Sequence, residues 1–321
     1  MADIIFGSGI TIGTGISVTP PPPPPPSYSA YAIFGYGLTG ATNLSMTNLV
    51  SNTGVVASDT TGVGTARRAL AAAGYGTDKA IFGYGNGASD IYSMTNLVSN
   101  TGAVATDTTG VGTARSALAA AGYGTDKAIF GYGFTNISGT TYVSTTNLVS
   151  NTGVVANNTT GVGTARFILA AAGYGTDKAI FGYGTTGSNY LSMTNLVSNT
   201  GVVDADVTGV GTARSYIAAA TYGTDKAIFG YGYTGSYVSM TNLVSNTGVV
   251  AADVTGVGTA RAGSAAATYG TDKAIFGYGA QADATGLSMT NLVSNTGVVA
   301  SDTTGVGTSR YLLAAASYGS I

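Results

Sequence analysis

A phrase of about 48 residues, restated six times, constrains the fold of this chain more than any other feature. Ala-Ile-Phe-Gly-Tyr-Gly recurs six times, with its Phe at Phe34, Phe82, Phe130, Phe181, Phe229 and Phe276, in steps of 48, 48, 51, 48 and 47 residues. Thr-Asn-Leu-Val-Ser-Asn-Thr-Gly also recurs six times. Each unit then closes on Gly-Val-Gly-Thr-(Ala/Ser)-Arg, at Arg67, Arg115, Arg166, Arg214, Arg261 and Arg310. Units of this kind bury their apolar faces mainly against their neighbours. A period of this length suits either a propeller blade or a helical array.

The residues choose between the two. Ile81-Phe82-Gly83-Tyr84-Gly85 is short, aromatic and bounded by glycine, which is the signature of a strand. Thr95-Asn96-Leu97-Val98 reads as a strand, Ser99-Asn100-Thr101-Gly102 as a turn, and Ala103-Val104 as the start of another strand. Glycine recurs too often for helices of normal length. The alanine run, Leu70 to Ala73 in one unit, has helical propensity, but a Gly-Tyr-Gly stop follows within a few residues. It is read as an innermost strand beside a narrow channel, where only small side chains fit. Each unit thus has four strands: A (alanine-rich), B (around Ile-Phe-Gly), C (around Thr-Asn-Leu-Val) and D (around Gly-Val-Val). A polar turn such as Gly76-Thr77-Asp78-Lys79 joins A to B. Four-stranded antiparallel units in radial array make a β-propeller.

The chain ends supply the topology. Six B strands are present but only five internal A–B turns, marked by Asp78-Lys79, Asp126-Lys127, Asp177-Lys178, Asp225-Lys226 and Asp272-Lys273. The first B strand, Ala32 to Gly37, has no A strand before it, and the last A strand, Leu312 to Gly319, has no B strand after it. Each orphan completes the other if six blades close into a ring, which also removes both exposed edges. The expected fold is all-β: a six-bladed propeller of four-stranded antiparallel blades, closed by pairing the C-terminal strand with the first propeller strand.

This grammar of an Arg, a small-residue strand, a strand ending in glycines, a variable loop and two further strands resembles the kelch repeat over Tyr31 to Ile321. It departs from the kelch pattern in carrying Gly83-Tyr84-Gly85 where kelch repeats have a glycine pair, and in having no Trp. The near-verbatim Tyr-Gly, Thr-Asp-Lys and Thr-Asn-Leu-Val-Ser-Asn-Thr-Gly repeats also resemble those of structural proteins of tailed phages.

Three segments follow: residues 1–19 as an N-terminal strand arm, 20–30 as a polyproline linker, and 31–321 as the propeller. All seven prolines fall in Pro20 to Pro26, a polyproline II rod of roughly 20 Å at about 3.1 Å per residue. In the arm, Ile10, Ile12, Ile16 and Val18 alternate with small polar residues, giving a strand with one apolar face. A lone strand cannot bury that face. The arm is therefore either an unfolded tail or an anchor that adds a strand to another chain or to copies of itself.

Composition narrows the chemistry. The chain has 12 Lys+Arg against 14 acids, all of them Asp, and no Glu, His, Cys or Trp. That leaves no His-based triad, thiol nucleophile, zinc finger or disulfide framework, and no basic footprint for nucleic acid. No apolar run is long enough to span a bilayer as a helix, and Met1 to Gly7 lack the basic start of a signal peptide. Gly7-Ser8-Gly9 and Gly62-Val63-Gly64 lack the following Gly-Lys and βαβ context of a nucleotide loop. No cofactor, metal or catalytic residue is expected.

Comparison of the six units separates scaffold from variable parts. The B–C segments differ most, as do the two residues after each Arg. Strand alternation places both zones at one end of the blades, with the nearly uniform A–B and C–D turns at the other. Variable loops on a rigid scaffold are where binding is usually built. Tyr92, Phe134, Tyr142, Tyr190, Tyr233 and Tyr237 are the candidate contacts for a glycan or protein; the alternative is loop drift with core-facing aromatics. Arg67, Arg115, Arg166, Arg214, Arg261 and Arg310 form either an anion site at a channel mouth or blade-joining ion pairs. In the second case each would pair with the acid eight residues earlier, namely Asp59, Asp107, Asp206, Asp253 and Asp302, with Asn158 in the third unit. The Asp-Lys pairs are expected to be solvated turn charges.

The expected function is non-enzymatic: a virion structural or host-recognition protein of decoration, tail or fibre type. Residues 1–19 would bind other assembly proteins, and the B–C face would bind a cell-surface glycan or protein. Neither nucleic-acid binding nor membrane insertion is expected. The alternative is a multivalent sugar-binding lectin, extracellular or cytoplasmic.

Overall fold

The computed structural model describes residues 5–6, 10–11, 30–281 and 285–319. No helix occurs among these residues, so the alanine runs are strands. Two short strands, β1 (Ile5–Phe6) and β2 (Ile10–Thr11), pair antiparallel. Ile10 of the arm is therefore paired within its own chain, while Ile12, Ile16, Val18 and the proline run lie outside the described residues.

The rest forms six three-stranded antiparallel sheets. Sheet one combines β3 (Tyr31–Thr39) and β4 (Thr42–Val50) with β20 (Ala314–Tyr318) from the far end of the chain. Sheet two holds β5 (Ala71–Tyr75), β6 (Lys79–Gly83) and β7 (Thr95–Val98). Sheet three holds β8 (Ala119–Tyr123), β9 (Lys127–Gly131) and β10 (Thr146–Val149), and sheet four β11 (Ala170–Tyr174), β12 (Lys178–Gly182) and β13 (Thr194–Val197). Sheet five is β14 (Ala218–Tyr222), β15 (Lys226–Tyr233) and β16 (Tyr237–Val244), and sheet six β17 (Ala265–Tyr269), β18 (Lys273–Gly277) and β19 (Thr290–Val293). In sheet one, Ala314 faces Gly35 and Tyr318 faces Tyr31 across the ladder, and the rings of Tyr31 and Tyr318 stack at 5.8 Å.

Neighbouring sheets are tied together by backbone hydrogen bonds. The residue two after each Arg has a left-handed φ, and its amide donates to its counterpart one sheet back. Ala117 donates to Ala69, Ile168 to Ala117, Tyr216 to Ile168, Gly263 to Tyr216, Leu312 to Gly263 and Ala69 to Leu312, at 2.8–3.1 Å. At the opposite end, Gly76 donates to the Asp126 carbonyl and the pattern repeats through Gly270 to Ala30 and Gly319 to Asp78. The alanine-rich strands β5, β8, β11, β14, β17 and β20 lie side by side in that order, with β20 beside β5.

The expected fourth strand is not a regular strand. It survives as isolated bridges such as Val50 to Val56 and Thr47 to Thr60. Between those bridges the outer segment carries one residue more than β4 opposite it, which is a β-bulge and interrupts the ladder. Asn48, fully buried, fills the gap: its side-chain amide donates to the Ala57 carbonyl at 3.0 Å and to Asp59 Oδ1 at 2.9 Å.

Apolar burial lies between sheets. Each repeat Phe has no exposed surface and packs against the Tyr of the preceding sheet, Phe82 on Tyr36 at 5.1 Å. The Gly-Tyr-Gly signature makes this possible. Tyr36 sits at φ 66°, at a register shift between Gly35 and Gly37, a conformation that costs a non-glycine residue energy unless its surroundings hold it. A Cβ on Gly35 would lie 2.7 Å from the Phe82 ring, and one on Gly37, at φ 107°, would lie 2.9 Å from the Tyr311 carbonyl.

Candidate functional site

The six arginines are structural in geometry. All have no exposed surface. Arg67 donates from Nε to the Tyr84 carbonyl (2.8 Å), from Nη1 to the Thr65 carbonyl (3.0 Å) and from Nη2 to Asn96 Oδ1 (2.6 Å). Its guanidinium lies over the Tyr36 ring, 4.5 Å from the centroid, and the other five repeat this over Tyr84, Tyr132, Tyr183, Tyr231 and Tyr278. Burial pushes the Tyr36 hydroxyl up to about 12, against the pull of Arg67, so it stays a neutral donor to the Val63 carbonyl. The Tyr under each Arg and the Asn beside it escaped the sequence reading. The signal was a polar Asn recurring inside every Thr-Asn-Leu-Val strand.

The acid partner differs from the expected one by a whole unit. Arg67 lies 3.6 Å from Asp107, not Asp59. Asp59 instead faces Arg310 at 3.8 Å. Arg166, Arg214 and Arg261 likewise face Asp206, Asp253 and Asp302. Chain connectivity explains the shift. Arg67 leads into sheet two and bonds Tyr84 and Asn96 there, so its neighbour is that sheet's own outer segment, where Asp107 accepts from the Thr65 amide (2.9 Å) and hydroxyl (2.7 Å).

Partial burial raises the Asp107 carboxyl pKa. The Thr65 and Asn96 hydrogen bonds and the Arg67 charge outweigh that effect, so the net shift is downward from 3.8; Asp59, Asp206, Asp253 and Asp302 behave alike. A depressed folded-state pKa stabilises the fold above the unfolded value, and the stabilisation is lost as pH falls through the folded one. Stability should therefore be flat at neutral pH and fall below about pH 4. Asp107→Asn should flatten that fall, as read by urea midpoints across pH.

Arg115 is the exception. Its acid position is Asn158, whose side chain bonds Thr113 instead. Arg115 Nη1 turns to the Thr145 carbonyl (2.6 Å) and hydroxyl (3.1 Å), and Thr145 stands where the other five units carry Met. Asn158→Asp should stabilise the chain by about 1 kcal/mol at neutral pH and not at pH 3. An unchanged urea midpoint at pH 7 would show that the gap is already compensated.

The Asp-Lys pairs are adjacent-residue contacts, Lys79 Nζ to Asp78 Oδ1 at 2.7 Å, with the lysines nearly half exposed. Lys79, Lys127 and Lys178 also border a central cavity of about 290 Å³ whose wall includes Ala72, Gly74, Ala171, Thr221, Thr268 and Ser317. The Thr221, Thr268 and Ser317 hydroxyls are spent on carbonyls of neighbouring sheets. Among the described residues no group of three or more Asp could hold a metal ion.

The two variable zones meet. The residue after each Arg pairs by backbone with the residue following the Gly-Tyr-Gly of its own sheet: Arg68 with Asn86, Ser116 with Phe134, Phe167 with Thr185, Ser215 with Tyr233, Ala262 with Ala280 and Tyr311 with Leu38. Five of the six singled-out aromatics gather on sheets three to five of this face. Tyr142 stacks on Phe167 at 4.6 Å and Phe134 meets Phe167 edge-on at 5.7 Å. Tyr233 contacts Tyr190 at 6.1 Å and Tyr237 at 5.3 Å. Tyr190 is exposed at 38%; the others are half-buried. Tyr92 stands apart, its ring against Gly87. Phe167, Tyr216 and Tyr311 join the cluster although only their variability marked them. Burial raises the Tyr216 hydroxyl pKa, with Tyr237, Tyr190 and Tyr311 close enough to add to the effect.

No protein-family model matches the chain, and no curated protein matches it.

Proposed function

We propose that the chain is a non-enzymatic recognition module: a six-bladed, kelch-like propeller clasped by its own last strand and carried on an N-terminal arm. One observation carries this reading. Residues that differ between units collect on one face, where aromatic side chains cluster, while the arginine framework beneath is buried and bonded mainly to its own repeat, with the Nε of Arg115, Arg261 and Arg310 left unpartnered among the described residues. Such a framework holds loops in place and leaves them free to vary. The repeat style, similar to that of tailed-phage structural proteins, favours a virion component. In that setting residues 1–19 bind neighbouring assembly proteins, and many copies act together through weak contacts.

Two substitutions test the face. Tyr233→Asp combined with Tyr237→Asp should abolish binding of the full chain to host cells or particles and leave the thermal transition in place. Undiminished binding would reject the face as the recognition surface. A photo-crosslinker at Ile12 tests the arm in the native assembly; adducts confined to its own chain would rule out an anchoring role. The aromatic cluster favours a second reading, a free sugar-binding lectin, which an arm-deleted chain that still binds glycan would support.

A further inference from the structure

The geometry points to one extended saccharide site, not six equivalent ones: Tyr142, Tyr190 and Tyr237 form consecutive stacking positions for an uncharged glycan chain of several sugar units. The inference rests on the recognition reading above and names the class of ligand.

Four residues before each Thr-Asn-Leu-Val the six units carry Asn43, Ile91, Tyr142, Tyr190, Tyr237 and Gly286. The aromatic choice is made in three successive units and in no other. Because those units fold into equivalent sheets, the three rings occupy equivalent places on sheets three, four and five. Second aromatics brace them: Phe167 lies against Tyr142, and Tyr233 touches both Tyr190 and Tyr237. The result is two braced aromatic groups on three adjacent sheets. Repeated, similarly placed rings suit a repeating ligand, because each pyranose presents an apolar C–H face to one ring.

Charge selects the class further. The B–C segments of these sheets (134–145, 185–193 and 233–240) and the pairs 167–168 and 215–216 contain no Asp, Lys or Arg. An anionic or cationic polymer would find no counter-charge there. The segments are instead rich in Thr, Ser and Asn, and Ser215, 1% exposed and paired by backbone with Tyr233, has a hydroxyl with no partner. A peptide is disfavoured for a separate reason. The two sides of each loop are already bridged by backbone, Phe134 to Tyr142 and Thr185 to Tyr190, so those groups are not open to an added strand.

The test uses the full chain and its tyrosine emission, which no Trp obscures. Cellohexaose, maltohexaose, mannohexaose and chitohexaose are titrated beside their disaccharides, at low and high salt. At least one hexasaccharide should bind about tenfold or more tightly than its disaccharide, with little salt dependence. Tyr190→Ala and Tyr237→Ala should each weaken it about tenfold. Tyr190→Phe should retain binding, since stacking needs the ring, and Ile91→Ala, at the equivalent place on sheet two, should not alter it. Failure of every hexasaccharide to bind, or equal binding by the Tyr→Ala variants, overturns the proposal. Peptide display on the same chain separates the two readings. Selected peptides that are lost on the Tyr233→Asp, Tyr237→Asp chain, with no saccharide bound, would overturn the glycan and keep the recognition face. Neither ligand binding would overturn both.

Discussion

Phe82→Ala should lower the unfolding free energy by about 3–5 kcal/mol. The ring has no exposed surface, lies 5.1 Å from Tyr36 and fills the space a Cβ on Gly35 would need. Its removal leaves a void walled by backbone on one side and by a Tyr held under Arg67 on the other. Neither wall can move in without breaking the arginine contacts, so the upper half of the range is expected. Equivalent losses should follow at Phe130 or Phe229, and substitutions two sheets apart should add, because they share no neighbours. Urea unfolding read by far-UV circular dichroism measures the effect, and a Phe82→Ala chain as stable as its parent would contradict the packing.

Ending the chain after Arg310 should abolish the cooperative transition. The truncation removes β20 and leaves β3 with an unpaired edge. It also takes away Leu312, which both donates and accepts in the inter-sheet amide series, and the Gly319 donor to Asp78. Losses on that scale exceed the margin of about 5–15 kcal/mol that holds a domain together. A permuted chain isolates the cause. In it Gly319 is joined to Tyr31 through Thr-Asp, copying the other A–B turns, and new ends open within Gly76 to Lys79. It should melt within a few degrees of the parent. A truncated chain that still melts sharply would show that the β20–β3 pairing is dispensable.

Much of this architecture was legible because each unit repeats its instructions six times. The strand expected over Ile81–Gly85, which lies two residues earlier at each end as Lys79–Gly83, the strand Thr95–Val98, the strand character of Ala71–Tyr75 and the pairing of the two chain ends follow from apolar pattern, glycine punctuation and the count of orphan strands. The outer segment reads as a regular strand but is broken by a bulge. Its Val-Val and Thr residues have the right propensities, but a one-residue bulge is a matter of register between two strands, which propensity does not encode. The acid partners differ for another reason: proximity along the chain favoured Asp59 for Arg67, whereas Asp107, on the sheet that Arg67 leads into, is the neighbour in space. On the loop face, Tyr142, Tyr190 and Tyr237 were visible as aromatics in variable segments. That Phe167 would stack on Tyr142 depended on the crossover meeting the next loop, a contact between segments far apart in the pattern.

The interrupted outer ladder also bears on how one chain meets another. A chain made of six nearly identical phrases is unusually liable to anneal with its neighbours, since any unit is a plausible substitute for any other. A straight, fully hydrogen-bonded rim would offer a template for that exchange. Here the rim is interrupted at the same place in every unit, where Asn48 and its counterparts take up the backbone carbonyl that the bulge frees. A rim broken at six places is a poor template for the edge of a second chain.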